Sequence, residues 1–141
     1  MKCRNKKTGF TLVEVLLVLA ILGVITSMVV PRLVGRQKQA NIDATVLSIK
    51  GIEQSLKLYA LDHGGEYPTT QDGLAALVQA PTGNQASRWR GPYLESLPRD
   101  AWGNAFHYAF PGQMNAHGAD IVSPGPDGDL NTSDDVTNQR N

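Results

Sequence analysis

Two groups of residues in this chain have types and spacings that could do chemistry, and both are acidic. Asp127, Asp129, Asp134 and Asp135 place four carboxylates within nine residues, among Gly128, Asn131, Thr132 and Ser133. Carboxylate, amide and hydroxyl oxygens without His or Cys suit a hard cation such as Ca²⁺ rather than zinc or copper. An EF-hand accounts for only part of the pattern. Asp127, Asp129 and Asn131 match its first three side-chain positions, but Thr132 stands where its glycine belongs and Asn138 where its glutamate belongs. The other reading of the segment is a solvated acidic tail; its Gly and Pro punctuation suits a loop folded around an ion. The second group is one residue, Glu14, the only charge between Phe10 and Val30. A carboxylate in hydrocarbon costs about 3 kcal/mol on insertion scales, so a residue of this kind usually marks function. The three histidines, His63, His107 and His117, have no Cys, Asp or Ser at catalytic spacing. No catalytic constellation is visible, and the chain reads as a non-enzyme.

The elements around these residues follow from hydropathy and punctuation. Phe10 to Val30 is long enough to cross a bilayer, which needs about 20 apolar residues. Lys2, Arg4, Lys6 and Lys7 precede it with no acid among them, which keeps that end cytoplasmic and sends the chain beyond Pro31 outward. No Ala-x-Ala site follows the apolar run. Pro31 and Gly23 are candidate weak points in a helix. The single cysteine, Cys3, excludes a disulfide framework and is expected to leave with the leader. Without the four leader charges the chain carries nine basic against thirteen acidic residues, a net of −4. It shows no basic stripe for a nucleic acid.

From Arg32 to His63 the pattern is amphipathic and helical. Ile42, Val46, Ile49, Ile52, Leu56 and Tyr59 recur every three or four residues, and Gly64-Gly65 ends the run. One helix from Phe10 to His63 is expected. Thr69 and Asp72 have capping spacing before a short helix at Gly73 to Val78. Residues 81–92 read as loop. Pro92-Tyr93-Leu94, Phe106 to Ala109 and Ala119 to Val122 read as short strands of an antiparallel sheet. Everything from Ser123 onward reads as loop. Trp102 and Tyr93 are expected in the core.

Gly9-Phe10-Thr11-Leu12-Val13-Glu14, after a short basic leader and directly before an apolar span, resembles the type IV prepilin junction. The resemblance implies cleavage after Gly9 by a membrane-embedded prepilin peptidase, N-methylation of Phe10, and an assembly role for Glu14 in setting subunit register. Further motifs narrow the likeness. Tyr67-Pro68-Thr69-Thr70-Gln71-Asp72-Gly73-Leu74, Asp100-Ala101-Trp102-Gly103-Asn104 and Asp120-Ile121-Val122-Ser123-Pro124-Gly125-Pro126-Asp127-Gly128 resemble, in order, the major pseudopilins of bacterial type II secretion. Two positions depart from that pattern: Ala101 replaces the Pro of Asp-Pro-Trp-Gly, and Pro124 replaces the Leu of Ser-Leu-Gly.

The resemblance implies an α+β, type IV pilin-like fold with a C-terminal calcium loop. It implies a leader at 1–9, a transmembrane half-helix at 10–31, a periplasmic half-helix at 32–63 and a periplasmic globular domain at 64–141. Ca²⁺ ligands would be the side chains of Asp127, Asp134 and Asp135 and the backbone carbonyls of Pro124 and Thr132. The implied partners are further copies of the chain in a homopolymer, the peptidase, minor pseudopilins and an inner-membrane platform; the implied task is export of folded proteins across the outer membrane. A type IV pilin, a minor pseudopilin and a signal-anchored periplasmic calcium-binding module are the alternatives. Type IV pilins usually carry a C-terminal disulfide, which this chain cannot form.

Overall fold

A single long helix, α1, runs from Leu12 to Asp62 and is followed by two 3-10 helices, Gly73–Leu77 and Gly83–Arg88, and three short strands. The strands are β1 (His107–Ala109), β2 (Asp120–Ser123) and β3 (Val136–Thr137). The computed structural model describes residues 9–139, the side chains of residues 30–33 excepted. The basic leader with Cys3 lies outside the described residues, and α1 runs through both Gly23 and Pro31. The chain forms two units whose boundary falls inside α1, the first ending at Gln39 and the second starting at Ala40.

In the first unit the helix has no core to face. Leu12, Val13, Leu16, Leu19, Ile21 and Leu22 are all exposed. Among the described residues this is the one helix long and apolar enough to cross a membrane. Its polar groups are satisfied locally. The Thr26 hydroxyl donates to the Leu22 carbonyl at 2.6 Å and the Ser27 hydroxyl to the Val24 carbonyl at 2.7 Å.

In the second unit the helix has one buried face. Ile49, Ile52, Leu56 and Tyr59 are buried and pack with Leu74, Ala76, Leu77, Ala119, Ile121 and Val136, while Ile42 and Val46 pack at the edge. Each fully buried aliphatic side chain of this kind contributes about 1.5–3 kcal/mol. The sheet is antiparallel in the order β1-β2-β3, with Tyr108 opposite Ile121 and Ser123 opposite Val136. Asn138 ties its far edge to α1: the side-chain amide donates to Glu53 Oε1 at 3.1 Å and to the Ala119 carbonyl at 2.9 Å.

Three expectations change here. Pro92-Tyr93-Leu94 is not a strand: the amides of Tyr93 and Leu94 both donate to one carbonyl, that of Leu77, at 2.8 and 3.1 Å, which a ladder cannot do. The stretch read as loop at 81–92 contains the second 3-10 helix. The segment after Ser123 contains β3, whose Val136 is fully buried against β2. A two-residue strand has no periodicity to read; only its distant partner defines it. Tyr93 and Trp102 do pack against the core.

Candidate functional site

At the head of α1, Thr11 and Glu14 form a reciprocal box. Glu14 Oε2 accepts from the Thr11 amide at 2.8 Å and from the Thr11 hydroxyl at 3.0 Å, and the Glu14 amide donates back to Thr11 Oγ1 at 3.3 Å. The carboxylate is thereby oriented one turn from Phe10, with both residues exposed. Thr11 is the residue that sequence reasoning passed over, although Thr-x-x-Glu at a helix start is a readable signal.

The acidic loop follows β2. Asp127 starts it with an Asx turn, its Oδ1 accepting the Asp129 amide at 3.0 Å. Asp134 Oδ1 and Asp135 Oδ1 both accept from the Thr132 hydroxyl, at 2.8 and 3.2 Å, and Asp135 Oδ2 accepts the Asn131 amide at 2.8 Å. The Thr132 hydroxyl is the largest influence holding the Asp134 carboxyl below the usual carboxylate range. Partial burial opposes it, while the amide of Asp134 and then the side chain and amide of Asp127 add to the lowering. Pro124 is buried and Asp127 exposed. Gly125 is pressed against the loop: a Cβ there would lie 2.6 Å from the Asp134 carbonyl oxygen. Gly125 at φ 69° and Asn131 at φ 67° turn the backbone through the left-handed region.

Of the five expected Ca²⁺ ligands, Asp127 and Asp134 are brought together, and Asp135 is engaged by loop donors. Thr132 contributes its hydroxyl to the loop's own bonding. Among the described residues no group of three or more His, Cys, Asp or Glu stands in a metal-holding arrangement. The donor chemistry nevertheless fits a hard cation: the available groups are oxygens, and the Thr132 hydroxyl bonds the carboxylates of both Asp134 and Asp135.

Of the three histidines, His63 serves structure. His63 is buried, stacks on Tyr59 with ring centroids 3.8 Å apart, and donates from Nδ1 to the Tyr59 carbonyl at 2.8 Å. His107 and His117 are exposed. Buried Asp120 accepts from the amides of Gln113, Met114 and Asn115 at 2.6, 2.8 and 3.1 Å, holding the loop between β1 and β2.

Residues 32–139 match the family of type II secretion system protein G, and residues 4–30 match a prokaryotic N-terminal methylation motif. The type II secretion system core protein G of Escherichia coli is 43% identical over 140 residues, covering 98% of this chain and 94% of that protein. The Pseudomonas aeruginosa protein of the same description is 42% identical over 133 residues, covering 93% and 92%. Among solved structures, the crystal structure of the major pseudopilin from the type 2 secretion system of enterohaemorrhagic Escherichia coli is 40% identical with a TM-score of 0.68. It covers 78% of this chain and 96% of that one.

Proposed function

Because this chain belongs to the type II secretion system protein G family, that of the major pseudopilins, we propose that it acts by polymerising into a pseudopilus that drives export of folded proteins. Members of this family are structural subunits, so the work is done by assembly. The observation that carries the reading within the structure is the first unit of α1. Its large apolar residues are exposed on every side, which only a membrane or neighbouring subunits can cover.

In this reading prepilin peptidase cuts after Gly9 and methylates the new amino group of Phe10. The anchor stays in the inner membrane and the second unit lies in the periplasm. Once cut, the Phe10 amine is a cation within one turn of Glu14. An ion pair formed between subunits gains in low dielectric but loses desolvation energy, so its main contribution is register. Each half-helix then exchanges lipid neighbours for protein neighbours, alongside minor pseudopilins and an inner-membrane platform.

Ca²⁺ completes the reading. Asp127, Asp134 and Asp135 with the carbonyls of Pro124 and Thr132 would hold it. When bound, the ion supplies the positive charge that lets the carboxylates sit together. It binds the folded loop and not the unfolded chain, so it stabilises the second unit by mass action.

The test is the N-terminus and mass of the protein from membranes of cells with and without a prepilin peptidase. A chain beginning at N-methylated Phe10 only when the peptidase is present is expected. An intact Met1, or a cut beyond the apolar span, would overturn the reading.

A further inference from the structure

Asp100 lies outside the acidic loop, yet it holds the residues on both sides of Pro124, Ser123 directly and Gly125 by way of Ser123 and Asn104. Asp100 Oδ1 accepts the amides of Trp102 at 3.0 Å and Asn104 at 2.7 Å, closing a tight turn. Asp100 Oδ2 accepts the Ser123 hydroxyl at 2.6 Å, and Ser123 Oγ in turn accepts the Gly125 amide at 3.2 Å. From the same turn, the Asn104 side-chain amide donates to the Gly125 carbonyl at 2.8 Å. Asp100 is only 6% exposed and Ser123 is fully buried, so these bonds are shielded from water.

The turn is also fastened to α1. The Ala101 amide donates to Oγ1 of Thr45, a fully buried residue of the helix, at 3.2 Å. That bond needs a backbone N–H at residue 101, which alanine supplies. Proline, which stands here in the Asp-Pro-Trp-Gly pattern, has no N–H to donate.

We propose that Asp100 is a positioning residue for the cation loop, and that the Ala101–Thr45 bond ties its support to α1, so that the loop is partly organised before a divalent cation arrives. This rests on the reading that the loop takes Ca²⁺. The physical reason is population. A cation binds only the closed loop, and its apparent affinity falls in proportion as that form becomes rarer. Groups that orient metal ligands from behind commonly matter by 10- to 100-fold in affinity.

The experiment uses the full chain in detergent micelles, with Ca²⁺ titrated in a chelator buffer and binding read from the shift in melting temperature. Asp100→Asn should weaken Ca²⁺ binding about tenfold or more. Ala101→Pro removes the donor, and Thr45→Val removes the acceptor; each should weaken binding about fivefold, the worth of one typical hydrogen bond. Thr45→Ser, which keeps the oxygen, should bind as the parent does. Ala101→Pro and Thr45→Val keep the proposal testable if Asp100→Asn does not fold. Parent-like affinity in both would overturn it and leave the Ca²⁺ reading standing. A parent chain indifferent to Ca²⁺ would overturn the Ca²⁺ reading and this proposal together.

Discussion

The two units of the molecule satisfy their side chains in opposite ways. In the first, the large apolar side chains from Phe10 to Val29 are exposed, and Glu14, Thr26 and Ser27 bond to their own turn of helix. In the second, an apolar core is closed by long-range polar bonds, such as Asn138 to Glu53 and Ser123 to Asp100. The first unit is written for surroundings it does not contain; the second is written for itself. Substitutions in one should therefore change assembly, and substitutions in the other should change stability.

Glu14→Ala is the largest test of that separation. Leaving one partner of a desolvated ion pair uncompensated costs about 3–5 kcal/mol per contact, enough to reduce filaments by about two to four orders of magnitude. Processing after Gly9 should continue, and melting of the second unit should not move. Cross-linking of sheared filaments measures the first effect; wild-type filament yield from this variant would remove the register role. Ile52→Ala makes the reverse separation. Ile52 is fully buried, so denaturant unfolding should show a loss of about 2–5 kcal/mol. Processing at Gly9 should be unaffected, and a change there would show that the units are not independent.

Asp127→Ala or Asp134→Ala should act on the second unit through the ion. With Ca²⁺ at a hundredfold excess over its dissociation constant, the parent gains about 2.7 kcal/mol that chelation removes. In either variant EDTA should no longer lower the melting temperature; a parent that melts identically with and without EDTA speaks against the site. The smallest effect is that of acid. The folded-state pKa of Asp134 lies below the usual carboxylate value, chiefly through Thr132. Such a group stabilises the fold above its unfolded pKa, and the contribution fades as pH falls through the folded one. Thr132→Val should shrink the acid-side loss in a melting series run from neutral pH downward in chelator.

The first unit was legible because its signals are local. A basic leader, Gly9-Phe10, Glu14 and an unbroken apolar run lie side by side in the sequence. The stripe from Ile42 to Tyr59 was equally plain, because helical period shows which face is buried. β3 and the Asp100 bonds were not legible, since what defines them is distant. Val136 becomes a strand only opposite Ser123, Asp100 becomes a hub only when Ser123 arrives beside it, and Ala101 finds its acceptor only when Thr45 does. The acidic loop was readable as chemistry from composition. That Thr132 joins Asp134 and Asp135 through its hydroxyl was not, because side-chain direction in a loop leaves no period.

The polar side chains between Phe10 and Val29 are Thr11, Glu14, Thr26 and Ser27, and each already holds a partner on its own helix. Glu14 apart, a helix so equipped is indifferent to the medium around it. Moving from hydrocarbon to a bundle of like helices breaks none of these bonds and strands no donor, and lipid tails are about as apolar as the leucines they release. For its apolar surface, withdrawal from the bilayer then becomes a trade of one greasy surface for another, nearly level in free energy, so that the direction is left to the contacts of Glu14.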